Sequence, residues 1–358
     1  MYKRQESLGG ESFRLRPGTL ILVTHRRETD VPVLCPSIYR YGGLWRARGP
    51  RVSFAAREDM FEPGFFAGFP ATLPNAVRRA VYPIAIGDIL EGALQVHPLR
   101  SASRIRLNDV FRSLPELELA ESLPAEIVSD FVARAEERGL PPPRRGADVL
   151  RGDYAELLWK TYDRGELNGE ALQPAWGNRH AHALDDFRTL VGLVRRGAIV
   201  VLFPEGRPSP DGAVGPLQPG LEALIRRARP RWLLPTGISY DPLVRGRTRV
   251  TLSFAPAVAA PTEDVEKTVL RLLRLAMPLT IGQVVASRVA AGETRAASIE
   301  RALAEELAAA RSQGRRAERA IERDDALRAR VEEAVAVAAE RERDVAYLAT
   351  ELASIRPG

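Results

Sequence analysis

In the first two-thirds of the chain the apolar residues form short unbroken runs, and in the last third they fall into a helical rhythm. Thr19–Thr24 (TLILVT) follows Pro17-Gly18, and Ala198–Phe203 (AIVVLF) follows Gly197. Runs of this length without alternation predict strands buried on both faces. Trp232–Tyr240 and Arg249–Phe254 are two further strand candidates. Helical stretches lie beside them, one opening at Asp30 as N-cap with Pro32 tolerated in the first turn, another from about Leu184 to Arg196. This alternation predicts an α/β fold, a mixed central sheet flanked by helices. Two segments depart from it. Residues from about 101 to 183 carry helical patterns at Ala125–Arg138 and Tyr154–Tyr162, the linker Pro141-Pro142-Pro143 and no strand, and read as a helical insertion. From Thr262 onward Ala, Glu and Arg dominate. There Val331, Ala334, Ala338, Val345, Leu348, Leu352 and Ile355 keep an a/d-like spacing interrupted at Arg341, which predicts a coiled-coil-like helical extension. The expected organisation is one domain over 1–261, with the insertion at about 101–183, and an extension over 262–358.

Composition narrows the chemistry. With 358 residues, 45% of them hydrophobic, the chain can bury a sizeable core. One cysteine, Cys35, and four histidines exclude a disulfide framework and leave too few soft ligands for structural zinc. His180-x-His182 reads as a surface pair on a loop before a helix, so no metal is expected. The cysteine usage fits a reducing cytoplasm. The longest uncharged stretch that can be helical, Leu275–Ser287, is too short for a bilayer, which needs roughly 20 residues. The net charge of +6 is local: residues 262–358 hold 16 Lys/Arg against 17 Asp/Glu, so the excess lies in 1–261. With a near-neutral tail and no RNP, zinc-finger or helix-turn-helix signature, no nucleic-acid partner is expected. Only Lys3, Lys160 and Lys267 are lysines, and arginine is the better fork for phosphate.

Two segments carry candidate chemistry. His25 follows the first buried run, and Asp30 stands at the proposed helix cap. On a continuous helix the two would point about 140° apart. A bend from strand end to cap lets Asp30 accept from one imidazole nitrogen while the other acts as a base. The second segment is Phe203-Pro204-Glu205-Gly206-Arg207-Pro208-Ser209, a turn-rich stretch directly after the second run, at the strand end where α/β sheets gather their sites. Cys35 lies on an apolar helical stretch and reads as a packing residue.

Taken in this order, His-x4-Asp followed by Phe-Pro-Glu-Gly with a nearby Ser resembles the glycerolipid acyltransferase superfamily, the lysophosphatidic acid and glycerol-3-phosphate acyltransferases. Leu217-Gln218-Pro219-Gly220 and Leu233-Leu234-Pro235-Thr236 are similar to its later signposts, and Leu94–Arg100 to its strand ending in Arg. The resemblance covers about residues 13–100 and 184–256. It implies His25 and Asp30 as the catalytic pair and Arg100, Glu205, Gly206, Arg207 and Ser209 as acceptor-binding residues. It further implies transfer of a fatty acyl group from an acyl-CoA or acyl-carrier-protein thioester to a hydroxyl of a lysophosphatidate or glycerol-3-phosphate-like acceptor, with no resident cofactor. The pattern is not followed everywhere: Arg207-Pro208-Ser209 stands where Thr-Arg-Ser is usual, Gln218 replaces a Lys, and Thr24 replaces an Asn or Ser before the histidine. These departures keep a non-phosphate lipid or metabolite hydroxyl open as acceptor. A non-catalytic lipid-binding scaffold is the rival of another class. Only about 24 residues precede His25, so no anchoring region is expected there. Contact with the cytoplasmic membrane face would fall to the uncharged stretch Pro63–Val77, with Phe65, Phe66 and Phe69, or to the basic body. The tail could serve homodimerisation.

Overall fold

A computed structural model describes residues 5–10, 15–27, 29–42, 52–56, 58–61, 63–64, 67, 74–85, 87–92, 95–167, 169–322 and 324–356. The fold is α/β. The chain divides into two compact units, one made of Met1–Val52 with Val191–Gly358, the other of Ser53–Leu190. The C-terminal helices therefore share a unit with the first buried strand.

Within the first unit, β1 (Gln5–Leu8), β2 (Thr19–Val23), β3 (Ile199–Leu202), β4 (Trp232–Asp241) and β5 (Arg249–Phe254) lie in the order β1-β5-β4-β2-β3, and β6 (Val258–Ala259) pairs with β4. β2 runs parallel to both neighbours, with Leu20 opposite Val200 on one side and Leu233 on the other. All five of its side chains are buried, which is why its sequence shows no alternation. β4 and β5 are antiparallel and β1 is parallel to β5, so the sheet is mixed.

The two faces of β4 divide the helices. Tyr240 points toward α1 (Asp30–Gly42), where its hydroxyl meets Asp30; α2 (Gly220–Ala228) follows β3 in the chain. The alternate residues Gly237, Ser239 and Asp241 point to the C-terminal helices, as the two-residue period of a strand requires. A Cβ on Gly237 would stand 2.4 Å from the carbonyl oxygen of Ala276, so α3 (Val265–Ala276) approaches closely only because this residue lacks one. Ser239 bonds Glu351, and Asp241 forms an ion pair with Arg330.

Beyond α3 come α4 (Ile281–Ala290), α5 (Ala296–Ser312), α6 (Asp324–Ala338) and α7 (Glu342–Ile355). The coiled-coil-like extension expected of this segment comprises, among the described residues, five α-helices. Val331, Ala334, Ala338, Val345, Leu348, Leu352 and Ile355 are all buried within the first unit. Two buried charge pairs tie these helices to the sheet and the loop after β2, Asp241 with Arg330 and Arg26 with Glu351, and half-buried Arg249 pairs with Glu318 in the segment between α5 and α6.

The second unit also departs from expectation. Its stretch 101–183 was expected to lack strands, yet Arg104–Arg106 and Thr161–Asp163 form an antiparallel pair, three residues each and so too short to show a period. The helix expected over Tyr154–Tyr162 shrinks to a turn at Gly152–Tyr154 and a short helix at Ala155–Leu158. The helix expected from about Leu184 begins at Gln173, with Pro174 in its first turn, so exposed His180 and His182 stand on a helix and not on a loop. Val52–Ala56 pairs in parallel with Val96–Pro98. The core is built around Phe111, Phe131 and Tyr154, whose rings meet edge to face at 5.9 and 5.7 Å. Phe65, Phe66 and Phe69 lie outside the described residues. No helix among the described residues is long and apolar enough to cross a membrane.

Candidate active site

Because β2 and β3 are adjacent and parallel, the loops that leave their carboxyl ends emerge at the same edge of the sheet. His25 stands two residues beyond β2 and Glu205 three beyond β3. That juxtaposition places the backbone N–H of His25 2.8 Å from Oε2 of Glu205, and the N–H of Ser209 2.9 Å from the carbonyl oxygen of His25.

Asp30 opens α1 but does not cap it in the usual sense. Its carboxylate turns back into the loop, where Oδ2 accepts from the N–H of Arg26 at 2.6 Å, the N–H of Arg27 at 3.0 Å and Nδ1 of His25 at 2.9 Å. Oδ1 accepts from the Tyr240 hydroxyl at 2.7 Å. The bend that a His-x4-Asp spacing needs is thereby held by three of the five residues it joins. With Nδ1 donating to a carboxylate, the ring carries its proton there and keeps the Nε2 lone pair. No described residue hydrogen-bonds Nε2, and the His25 side chain retains 10% exposure against 0% for Asp30. The half-buried Phe203 ring flanks the imidazole at 4.6 Å.

Phe203-Pro204-Glu205-Gly206 is a tight turn closed by the Gly206 N–H on the Phe203 carbonyl, with proline at its second position. Gly206 has φ +71, and a Cβ there would lie 2.7 Å from Cγ of Gln218. The turn directs the Glu205 carboxylate inward, where its oxygens accept from the N–H groups of His25 and Gly215. Gln218 donates to the Glu205 carbonyl at 3.0 Å. Ser209 accepts from the Gly212 N–H and donates to Asp211, while Arg207 is exposed. Glu205 and Ser209 thus serve the internal geometry of this loop.

Three participants had escaped the motif reading. Tyr240 orients Asp30 from β4. Arg26, buried, sends Nη1 to the carbonyls of Gly212 and Ala213 and faces Glu205 at 3.8 Å and Glu351 at 3.6 Å. Glu351, on α7, is fully buried and accepts from Ser239 at 2.8 Å and Gln283 at 2.7 Å. Two carboxylates share one guanidinium. Burial dominates both and pushes the Glu205 and Glu351 carboxyls above their ordinary range, although Arg26 opposes it. For Arg26, burial works against the charge, and Glu351 and Glu205 outweigh it, so its pKa rises. A sequence signal for Glu351 existed: it interrupts the apolar stripe of Leu348, Leu352 and Ile355, where a carboxylate must find a buried partner.

Other candidates take no part in these hydrogen bonds. Burial pushes the Cys35 thiol up to about 11, away from thiolate chemistry. Arg100 belongs to the second unit, where its backbone N–H and guanidinium both engage Asp186, at 2.9 and 2.8 Å. His97, in the same unit, is half-buried and its pKa is lowered by that burial. No group of three or more potential metal ligands occurs among the described residues. No family model matches the chain, and no curated protein matches it.

Proposed function

We propose that the protein is an O-acyltransferase that moves a fatty acyl group from a CoA or carrier-protein thioester to the hydroxyl of a glycerophosphate-like lipid acceptor. One observation carries this reading: a buried Asp30 holds Nδ1 of His25, and no described residue hydrogen-bonds Nε2, at the carboxyl edge of a central parallel strand. In the reaction, Nε2 takes the proton of the acceptor hydroxyl as its oxygen bonds to the thioester carbonyl carbon. Asp30 offsets the charge of the imidazolium so formed. Collapse of the tetrahedral intermediate breaks the C–S bond, and the departing thiolate takes the proton from Nε2. Glu205 acts as a positioning residue through the His25 backbone. Arg27, half-buried with its guanidinium 4.5 Å above the Tyr240 ring, supplies a cation beside the pair for the acceptor phosphate.

A second reading keeps the chemistry and changes the acceptor to a non-phosphate hydroxyl. It is favoured by the engagement of Arg100, an expected acceptor-binding residue, with Asp186, and by Gln218, which stands where a lysine is usual and donates to the Glu205 carbonyl. Action at the cytoplasmic membrane face is part of the first reading, since its acceptors are lipids. The test is thiol release from palmitoyl-CoA, and from an acyl-carrier-protein thioester, with lysophosphatidate, glycerol-3-phosphate and neutral hydroxylated lipids as acceptors. Acceptor-dependent release that disappears in His25→Ala supports the enzyme and selects the acceptor class. Equal release by wild type and variant with both donors overturns it.

A further inference from the structure

The opposite edge of the same sheet carries a feature that the acyl-transfer reading does not use. Gly18 precedes β2, Gly197 comes shortly before β3 and Arg231 precedes β4, so all three stand at the amino ends of adjacent parallel strands. Together with Arg195, Arg196 and Arg229 they line an open cleft of about 570 Å³. At about 3.3 Å per residue, the seven steps from Gly18 to His25 separate this cleft from the imidazole by roughly 20 Å. The cleft is therefore remote from the proton-transfer chemistry at the imidazole.

The four arginines are exposed, and among the described residues none has a carboxylate partner. Elsewhere in this unit arginines pair readily: Arg226, one turn from the cleft, is held by Glu222 at 2.7 Å. Chain segments 190–204 and 223–240, which supply most of the lining, contain no Asp or Glu at all. Four like charges converging on a concavity repel one another unless an anion enters, and guanidinium forks match phosphate oxygens. The volume lies within the range of roughly 300–1,000 Å³ usual for small-ligand sites. Two of the forks are set by local structure. Arg195 is anchored on the Arg227 carbonyl at 3.0 and 2.7 Å, and the Arg231 stem lies against Gly18, whose added Cβ would meet it at 3.7 Å.

We propose that this cleft is a phosphate-binding site remote from the His25–Asp30 pair, taking either a soluble pyrophosphate-bearing ligand or the headgroup of an anionic phospholipid. The proposal rests on the cleft alone and stands whether or not the protein transfers acyl groups. The experiment titrates the full chain calorimetrically with inorganic pyrophosphate and, separately, sediments it with phosphatidylcholine vesicles with and without phosphatidylglycerol. Wild type, His25→Ala, Arg196→Gln/Arg231→Gln and Arg196→Glu/Arg231→Glu are compared, with circular dichroism as the check on folding. Binding of pyrophosphate that is kept in His25→Ala and weakened tenfold or more in both double variants supports a soluble ligand. Vesicle binding that requires phosphatidylglycerol and is lost in the same variants supports a headgroup. Absence of binding to both probes, or binding that survives both double variants, overturns the site.

Discussion

Two buried charge clusters, one in each unit, are built from the same residue types and behave oppositely. In the second unit Arg106 and Arg179 face Glu58 and Asp109, two cations against two anions, at 2.8 to 3.3 Å. Burial there works to raise the Glu58 carboxyl, and the two arginines outweigh it, so Glu58 sits below its ordinary range. In the first unit Arg26 alone serves Glu205 and Glu351, and burial keeps both carboxyls above theirs. At Glu58 the two arginines together exceed the effect of burial, whereas at Glu205 and Glu351 the single Arg26 does not. The balanced cluster is closed on itself, a structural brace. The acid-rich one continues through the His25 backbone to an imidazole whose second nitrogen is left for other chemistry.

That contrast can be broken at several points. Replacing His25 by Ala removes Nε2, and the proposed transfer should fall by about 10²–10⁴-fold while stability changes by no more than about 1–2 kcal/mol. Thiol-release assays beside thermal melts check this, and a loss of folding equal to the loss of rate would assign His25 to the scaffold. In the balanced cluster, Arg179→Met leaves two carboxylates on one arginine and should cost roughly 3–5 kcal/mol, read from urea unfolding. Glu351→Ala converts a two-to-one cluster into a one-to-one pair, so the cost should be smaller, about 1–3 kcal/mol, despite the complete burial of the residue. A larger penalty for Glu351→Ala than for Arg179→Met would show that charge ratio is not what separates the two regions.

The smallest effect is the most diagnostic. Glu351 has a folded pKa raised above the unfolded value of 4.5, so the stability it contributes is present below 4.5 and lost as pH rises through the folded value. Glu58 has a lowered one, so its contribution is present above 4.5 and lost as pH falls through the folded value. Melting temperatures of Glu351→Gln and Glu58→Gln from about pH 3 to pH 8, each relative to wild type, should therefore move in opposite directions. As pH rises Glu351→Gln gains on wild type, and Glu58→Gln falls behind it.

Much of the framework was legible because it depends on local pattern. The strands Thr19–Val23 and Ile199–Leu202 lie where unbroken apolar runs predicted them, since a strand covered on both faces writes its burial directly into sequence, and Trp232–Asp241 and Arg249–Phe254 lie at the two further strand candidates. His25 and Asp30 were legible as a pair because only four residues separate them across the bend between a strand end and a helix start. The three-residue strands Arg104–Arg106 and Thr161–Asp163 were not, being shorter than any period that could reveal them. Nor was the five-helix arrangement of the C-terminal region, whose alanine-rich spacing suits a free-standing coiled coil as well as a packed layer.

By itself, then, the chain determined the α/β class, the central strands and the two loops that carry the candidate chemistry. Each is dictated by the residue pattern of one segment or by the bend between near neighbours. Only tertiary structure decided that Tyr240 would steady Asp30, that Glu351 would share Arg26 with Glu205, and that arginines from separate segments would gather at the far edge of the sheet. Those partners lie between tens and more than 300 residues apart. Charge pairing across such distances depends on which strand edges and helix faces the packed core brings together, and no local propensity encodes that.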